Sequence, residues 1–235
     1  MYTLLKTIVE NPEWHARWLN TLSYLELCGA RKISQFLPRS LHESSTWEER
    51  SELLQHASEE FRHAQTFCKL IERLEFPKSH TITHFCGRRG LRYLDLLDLN
   101  VARLLRAQNY QADFRKACYL LTTYAIEKRA EELYACYEEI LRQADSKISV
   151  RFIINEERGH LAQIERDIDQ DPVISRLCAS ARRCEEEIFQ QFWGELEQEI
   201  SLTPAPSLAS LLAGQNVPSS DTGVFHEDGC TSSCA

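Results

Sequence analysis

The chain has 235 residues, 43% hydrophobic and 26% charged, enough for one medium domain with a real core. Its formal net charge of −8 argues against a nucleic-acid surface, because phosphate contacts need a basic stripe. No run approaches the roughly 18 to 20 apolar residues of a membrane span. The polar stretch Met1 to Asn20 reads as neither a secretory signal nor a transit peptide. Nine cysteines, an odd number scattered through helical patterns (Cys28, Cys68, Cys118, Cys136), read as reduced thiols of a cytoplasmic protein. No CxxC pair occurs, so a rubredoxin-type iron site or a zinc ribbon lacks its ligands.

In chain order, apolar periodicity predicts helix after helix, with glycine and proline confined to the breaks at Pro38, Pro77, Gly87, Gly90 and Pro172. The first helix runs from about Glu13 to Phe36 and is followed by a loop over Pro38 to Thr46. Ser45 or Thr46, with Glu48 and Glu49 behind it, starts a second helix that reaches about Glu75. Pro77 to Gly90 is a crossover, then Leu91 to Asn109 is helical. Asp113 to Gln143 forms the next long helix. The turn Ala144-Asp145-Ser146 leads to another that ends near Asp171-Pro172, and a last helix covers Val173 to Ile200. From Ser201 the composition turns rich in Pro, Ser, Gly and Thr. Residues 1–200 therefore read as one helical domain and 201–235 as a disordered tail, whose His226, Cys230 and Cys234 lack a fixed metal geometry.

Two segments resemble each other. One reads EEFRHAQ from Glu59, the other EERGHLAQ from Glu156. Each holds Glu-x-x-His, Glu60 with His63 and Glu157 with His160, and residues three apart share a helix face. Glu60 falls inside the apolar stripe Leu53, Ala57, Ala64, Phe67, Ile71. Glu157 and His160 fall inside the stripe Ile153, Leu161, Ile164, Ile168. On the helices that precede them, Glu26 interrupts Leu19, Leu22, Gly29, Ile33, and Glu127 and Glu131 interrupt Leu120, Tyr124, Tyr134, Leu141. A carboxylate on a buried seam is costly unless it is paired or binds a metal. At 1.5 Å per residue Glu26 and Glu60 reach about the same height on antiparallel neighbours, and Glu131 matches Glu157 slightly better than Glu127 does. His56, one turn before Glu60, could add a ligand but reads first as a flank residue, and Tyr24, Tyr124 and Tyr134 could support the site or be redox-active but read first as packing.

One Glu from each of two helices plus Glu-x-x-His from each of two others resembles the ligand set of the ferritin-like di-iron and di-manganese carboxylate superfamily, over residues of about 13 to 170. The resemblance implies an all-α, up-down four-helix bundle with a long crossover between its second and third helices, here with additional helices. It implies metal ligands Glu26, Glu60, His63, Glu127, Glu157 and His160, and its spacing favours Glu127 over Glu131, which stays an alternative or extra ligand. Glu60 and Glu157 would bridge two irons, with manganese an alternative at either site. Glu26 with His63 would complete one metal and Glu127 with His160 the other. The implied activity is an O2-dependent oxidase or oxygenase that takes a small apolar or amphipathic substrate and an external electron donor, with a homodimer a compatible state. Rival readings are a ferroxidase, iron-handling or peroxide-detoxifying protein, a tRNA-hydroxylase-like enzyme suggested by Ile126-Glu127-x-Arg129, and a metal-free helical binding module. In the last, Arg62, Arg129 and Arg158 would neutralise the carboxylates.

Overall fold

The computed structural model describes residues 1–40, 46–74 and 81–202. The expected tail, with His226, Cys230 and Cys234, and most of the first expected loop lie outside the described residues. Their regular secondary structure is all α-helix: α1 Tyr2–Glu10, α2 Pro12–Ser40, α3 Trp47–Arg73, α4 Gly87–Ala107, α5 Phe114–Gln143, α6 Arg151–Ile168 and α7 Pro172–Leu202. None of these helices is long and apolar enough to cross a membrane.

Short polar side chains set the helix starts. The Asn11 carboxamide accepts from the backbone N–H groups of Glu13 and Trp14 ahead of α2. Thr46 and Glu49 form a reciprocal capping box at α3. Asp113 accepts from Lys116 N–H at α5, and Asp171 accepts from Val173 and Ile174 at α7. These caps satisfy N–H groups that the first turn leaves without partners. Helix α1 precedes the first helix that periodicity predicts. Nine residues are too few for a helix to persist alone, so packing holds it: Leu5 and Ile8 are fully buried. The start of α6 also differs, because Lys147 to Val150 is not helical and α6 begins at Arg151.

Side-chain pairs give the helix directions. Gly29 faces Glu60 and Ser23 bonds to Ala64, so α2 and α3 are antiparallel. Lys128 meets Glu165 and Glu138 meets Val150, so α5 and α6 are antiparallel too. Helices α3 and α5 run parallel, with Glu49 against Lys116 and Phe67 against Tyr134. The detour through α4 permits this, since a direct turn would reverse the chain. Part of the crossover is strapped to α2: Asn20 donates to the Ile82 carbonyl and Phe85 N–H donates to Thr21.

Helix α7 closes the side made by α4 and α5. Trp193 lies edge-on to Trp18 and stacks on Phe189. The same side carries a buried ion network. Glu185, with no exposed surface, accepts from Arg129 Nε at 2.9 Å and Nη2 at 3.0 Å, from Arg182 at 3.2 Å, and from the Tyr93 hydroxyl. Both carboxylate oxygens are thus held by guanidinium groups. Burial raises the Tyr93 hydroxyl well above its ordinary pKa, and the Glu185 charge adds to that.

Candidate metal centre

Helices α2, α3, α5 and α6 each send acidic or imidazole side chains to one buried cluster. Glu26, His56, Glu60, His63, Glu127, Glu157 and His160 are each at most 8% exposed. They fall into two groups that share Glu60: Glu26, Glu60, His63 and Glu157 in one, and His56, Glu60, Glu127 and His160 in the other. Within each group, one candidate ligand atom per residue lies within 4.8 Å of all the others. All six residues expected from the sequence therefore come together. Glu157 belongs to the first group only, although its Oε2 lies 3.3 Å from His160 Nδ1.

His56 is a correction. Instead of standing on a flank, it is buried, with Nε2 at 3.4 Å from Glu60 Oε1 and 3.3 Å from Glu127 Oε1. Helix α3 packs on α2 and α6, and its side chains also meet α5, so its buried arc is wider than a single stripe. Glu131 is the second correction. Its side chain is 37% exposed and lies 3.5 Å from Arg158, outside both groups. Four residues turn a helix by about 40° beyond a full circle. That rotation leaves Glu127 facing the cluster and Glu131 on the side that carries Arg158.

Each histidine presents one nitrogen to the cluster and anchors the other outside it. His63 Nε2 lies 2.8 Å from Glu156, and His160 Nε2 lies 2.7 Å from Glu59. His56 Nδ1 lies 3.1 Å from the Tyr119 hydroxyl. Metal-binding histidines are oriented in this way, because a partner on the outer nitrogen fixes the tautomer and the ring plane. The pairing is reciprocal, since the glutamate that leads each Glu-Glu-x-x-His segment holds the histidine of the other. Arg62 joins the arrangement, 2.5 Å from Glu156 and 3.8 Å from Glu59. Of the three expected tyrosines, Tyr134 donates to Glu26. Tyr24 instead packs on His84, and Tyr124 lies beside Lys128.

The cluster's positive charge comes from its own histidines alone. Among the described residues no lysine or arginine reaches its four carboxylates: Arg62 serves Glu59 and Glu156, Arg129 serves Glu185, Glu186 and Glu132, and Arg158 serves Glu131. Burial, then the charges of Glu157 and Glu26, push the Glu60 carboxyl up to about 8. Burial and the neighbouring Glu157 hold Glu127 well above the ordinary carboxyl range. Burial opposes charge on the histidines, but Glu157 and Glu26 raise His63 to about 11, and Glu157 raises His160 to about 9. Burial likewise opposes charge on Glu157, yet the hydrogen bonds it accepts bring it well below its ordinary value. Three buried atoms of the cluster have no hydrogen-bond partner: Glu60 Oε1, His63 Nδ1 and Glu127 Oε2. His63 Nδ1 is 3.0 Å from Glu157 Oε1, close enough for an ion pair but not aligned as a hydrogen bond. Atoms crowded together without hydrogen-bond alignment are what a bound cation organises.

Backbone shape contributes as well. A Cβ at Gly29 would lie 3.3 Å from Glu60 Oε2, so the glycine gives that carboxylate its room. A cavity of about 700 Å3 opens against the second group, with His56, His160 and Tyr119 in its wall. No family model, curated protein or solved structure matches the chain.

Proposed function

We propose that the chain is a ferritin-like di-iron carboxylate protein that uses O2 to oxidise a small molecule bound beside the metals. The observation that supports this most is a buried set of four carboxylates and three imidazoles, drawn from four helices, that contains no arginine or lysine among the described residues. Buried carboxylates without guanidinium or ammonium partners need another source of positive charge. Glu60, His63 and Glu127 of this set each keep a buried polar atom with no hydrogen-bond partner, free to bind a cation. A mixed oxygen and nitrogen set without thiolates suits iron or manganese.

In this reading Glu26, His63 and Glu157 would hold one ion and His56, Glu127 and His160 the other, with Glu60 common to both groups. Reduced iron, once bound there, would supply the electrons for O2 chemistry. The chain's own residues orient and insulate. Glu156 and Glu59 fix the imidazole planes, and the Tyr134 hydroxyl holds Glu26 in place by donating to it. The His56–Tyr119 contact lies where the cavity meets the cluster. Apolar residues of α3, α5 and α6 keep water from the carboxylates, which strengthens every charge interaction inside.

The test is anaerobic loading of purified protein with Fe(II), gel filtration, metal analysis, and then exposure to O2 with O2 uptake recorded. Two tightly held irons per chain and rapid O2 uptake are expected. Folded protein that retains no iron after filtration would sink the reading.

A further inference from the structure

The cavity beside the second group is not neutral. Its wall carries six carboxylates (Glu49, Glu52, Glu59, Asp113, Glu156 and Asp167) against one lysine and one arginine. Most of these charges are committed. Glu59 and Glu156 hold the histidines, Glu49 takes Lys116 at 2.9 Å, and Asp113 caps α5. Two remain. Exposed Glu52 and half-buried Asp167 are bridged by the Gln163 amide, at 3.3 and 3.4 Å, and among the described residues neither has a cation in ion-pair contact, Lys116 acting on Asp167 only from a distance. Arg166, the cavity's other cation, lies on the far side of that amide and donates to the Gln163 carbonyl.

The cavity is graded along its length. Glu52 precedes His56 by one helical turn, and Asp167 follows His160 by two, so the two carboxylates stand roughly 6 to 10 Å from the imidazoles along the helix axes. Between these ends the wall includes Leu53, Leu120 and Ile164 beside the amides of Gln55 and Gln163. A molecule that fits has one cationic head, an apolar body, and a far end delivered to the histidines. From this we infer that the cavity binds an organic ammonium compound, with its nitrogen on Glu52 and Asp167 and its hydrocarbon end toward His56 and His160. The role of this compound as substrate rests on the di-metal reading, whereas its binding does not.

The probes are 1-aminooctane, 1-octanol and octanoate, titrated calorimetrically into the full chain, metal-free and Mn(II)-loaded. The amine is expected to bind about tenfold tighter than the alcohol, with the carboxylate weakest, and the preference should fade with added salt. The double variant Glu52→Gln/Asp167→Asn should erase the preference while leaving Mn(II) stoichiometry unchanged. In the Mn(II)-loaded protein the terminal methyl of the amine should broaden more in the NMR spectrum than the methylene next to nitrogen.

Equal binding of amine and octanoate would overturn the inference, as would a double variant that keeps the preference. Stronger broadening next to nitrogen would also overturn it, by showing the amine on the metal itself. Slowed Mn(II) uptake in the double variant, without any amine preference in the parent, would make the cavity a cation entry path instead. An amine preference that persists in a chain unable to hold Mn(II) would keep the ammonium site and reject the metal reading, so the two failures are distinguishable.

Discussion

The molecule buries carboxylates in two places and treats them oppositely. On the α4–α5–α7 side, Glu185 is fully enclosed and both of its oxygens receive guanidinium N–H groups. Among α2, α3, α5 and α6, four glutamates share three imidazoles, and two of those glutamates keep an oxygen with no partner. The first site is complete with protein atoms alone. The second keeps unpartnered atoms and could hold cations, and the contrast shows that burial of acid is not by itself a sign of metal. What sets the second site apart is that no lysine or arginine among the described residues reaches its acids, which face only imidazoles.

The largest effect should come from removing the residue common to both groups. Glu60→Ala is expected to abolish binding of two metals per chain, and Glu157→Ala to do the same, as read by metal analysis after gel filtration. His56→Ala should lower the count from two toward one. Retention of two tight irons by Glu157→Ala would break the ligand assignment.

At the other site, Arg129→Ala leaves Glu185 enclosed without its main counter-charge. A loss of about 3 to 5 kcal/mol in unfolding free energy is expected, measured by denaturant titration, with metal stoichiometry unchanged. A loss below about 1 kcal/mol would show that the network is dispensable.

Acidity offers a sharper comparison. In metal-free protein, Glu60 titrates near 8 because burial and Glu157 disfavour its charge. Between the ordinary carboxyl pKa and that value the folded chain keeps a proton that the unfolded chain has released, so stability falls as pH rises. The raised values of His63 and His160, about 11 and about 9, act in the same direction. Their stabilisation is complete below the ordinary imidazole range and is lost as pH climbs through the folded values. The melting temperature of metal-free protein should therefore drop by roughly 5 to 10 °C between pH 6 and pH 9. Saturating Mn(II) should flatten the profile, and Glu60→Gln should flatten it in part. A flat profile in the metal-free parent would contradict this account.

The smallest expected effect is that of Tyr134→Phe. It removes one donor to Glu26 and should cost about 1 to 2 kcal/mol of metal-free stability, with both metals still bound.

Much of this was legible in the sequence, for a definite reason. A glutamate inside an apolar stripe is visible without coordinates, so Glu26, Glu60, Glu127, Glu157 and both Glu-x-x-His pairs could be placed together. His56 was legible in spacing but not in face, because the breadth of a helix's buried arc depends on how many neighbours it acquires. Glu127 and Glu131 differ by 40° of rotation, and the height argument, which favoured Glu131, could not see that angle. Tyr119 reaches His56 only because α5 runs parallel to α3, which the intervening α4 decides. Helix α1 is too short to announce itself by periodicity.

The crossed pairing of Glu59 with His160 and of Glu156 with His63 has a mechanical consequence. Each helix carries the key to the other's lock, so a slip of α3 along α6 by one turn would unfasten both imidazoles together. The spacing of the centre is thus fixed by a mesh of two identical teeth, and a substitution that shifts one helix should loosen both ends of the cluster instead of one.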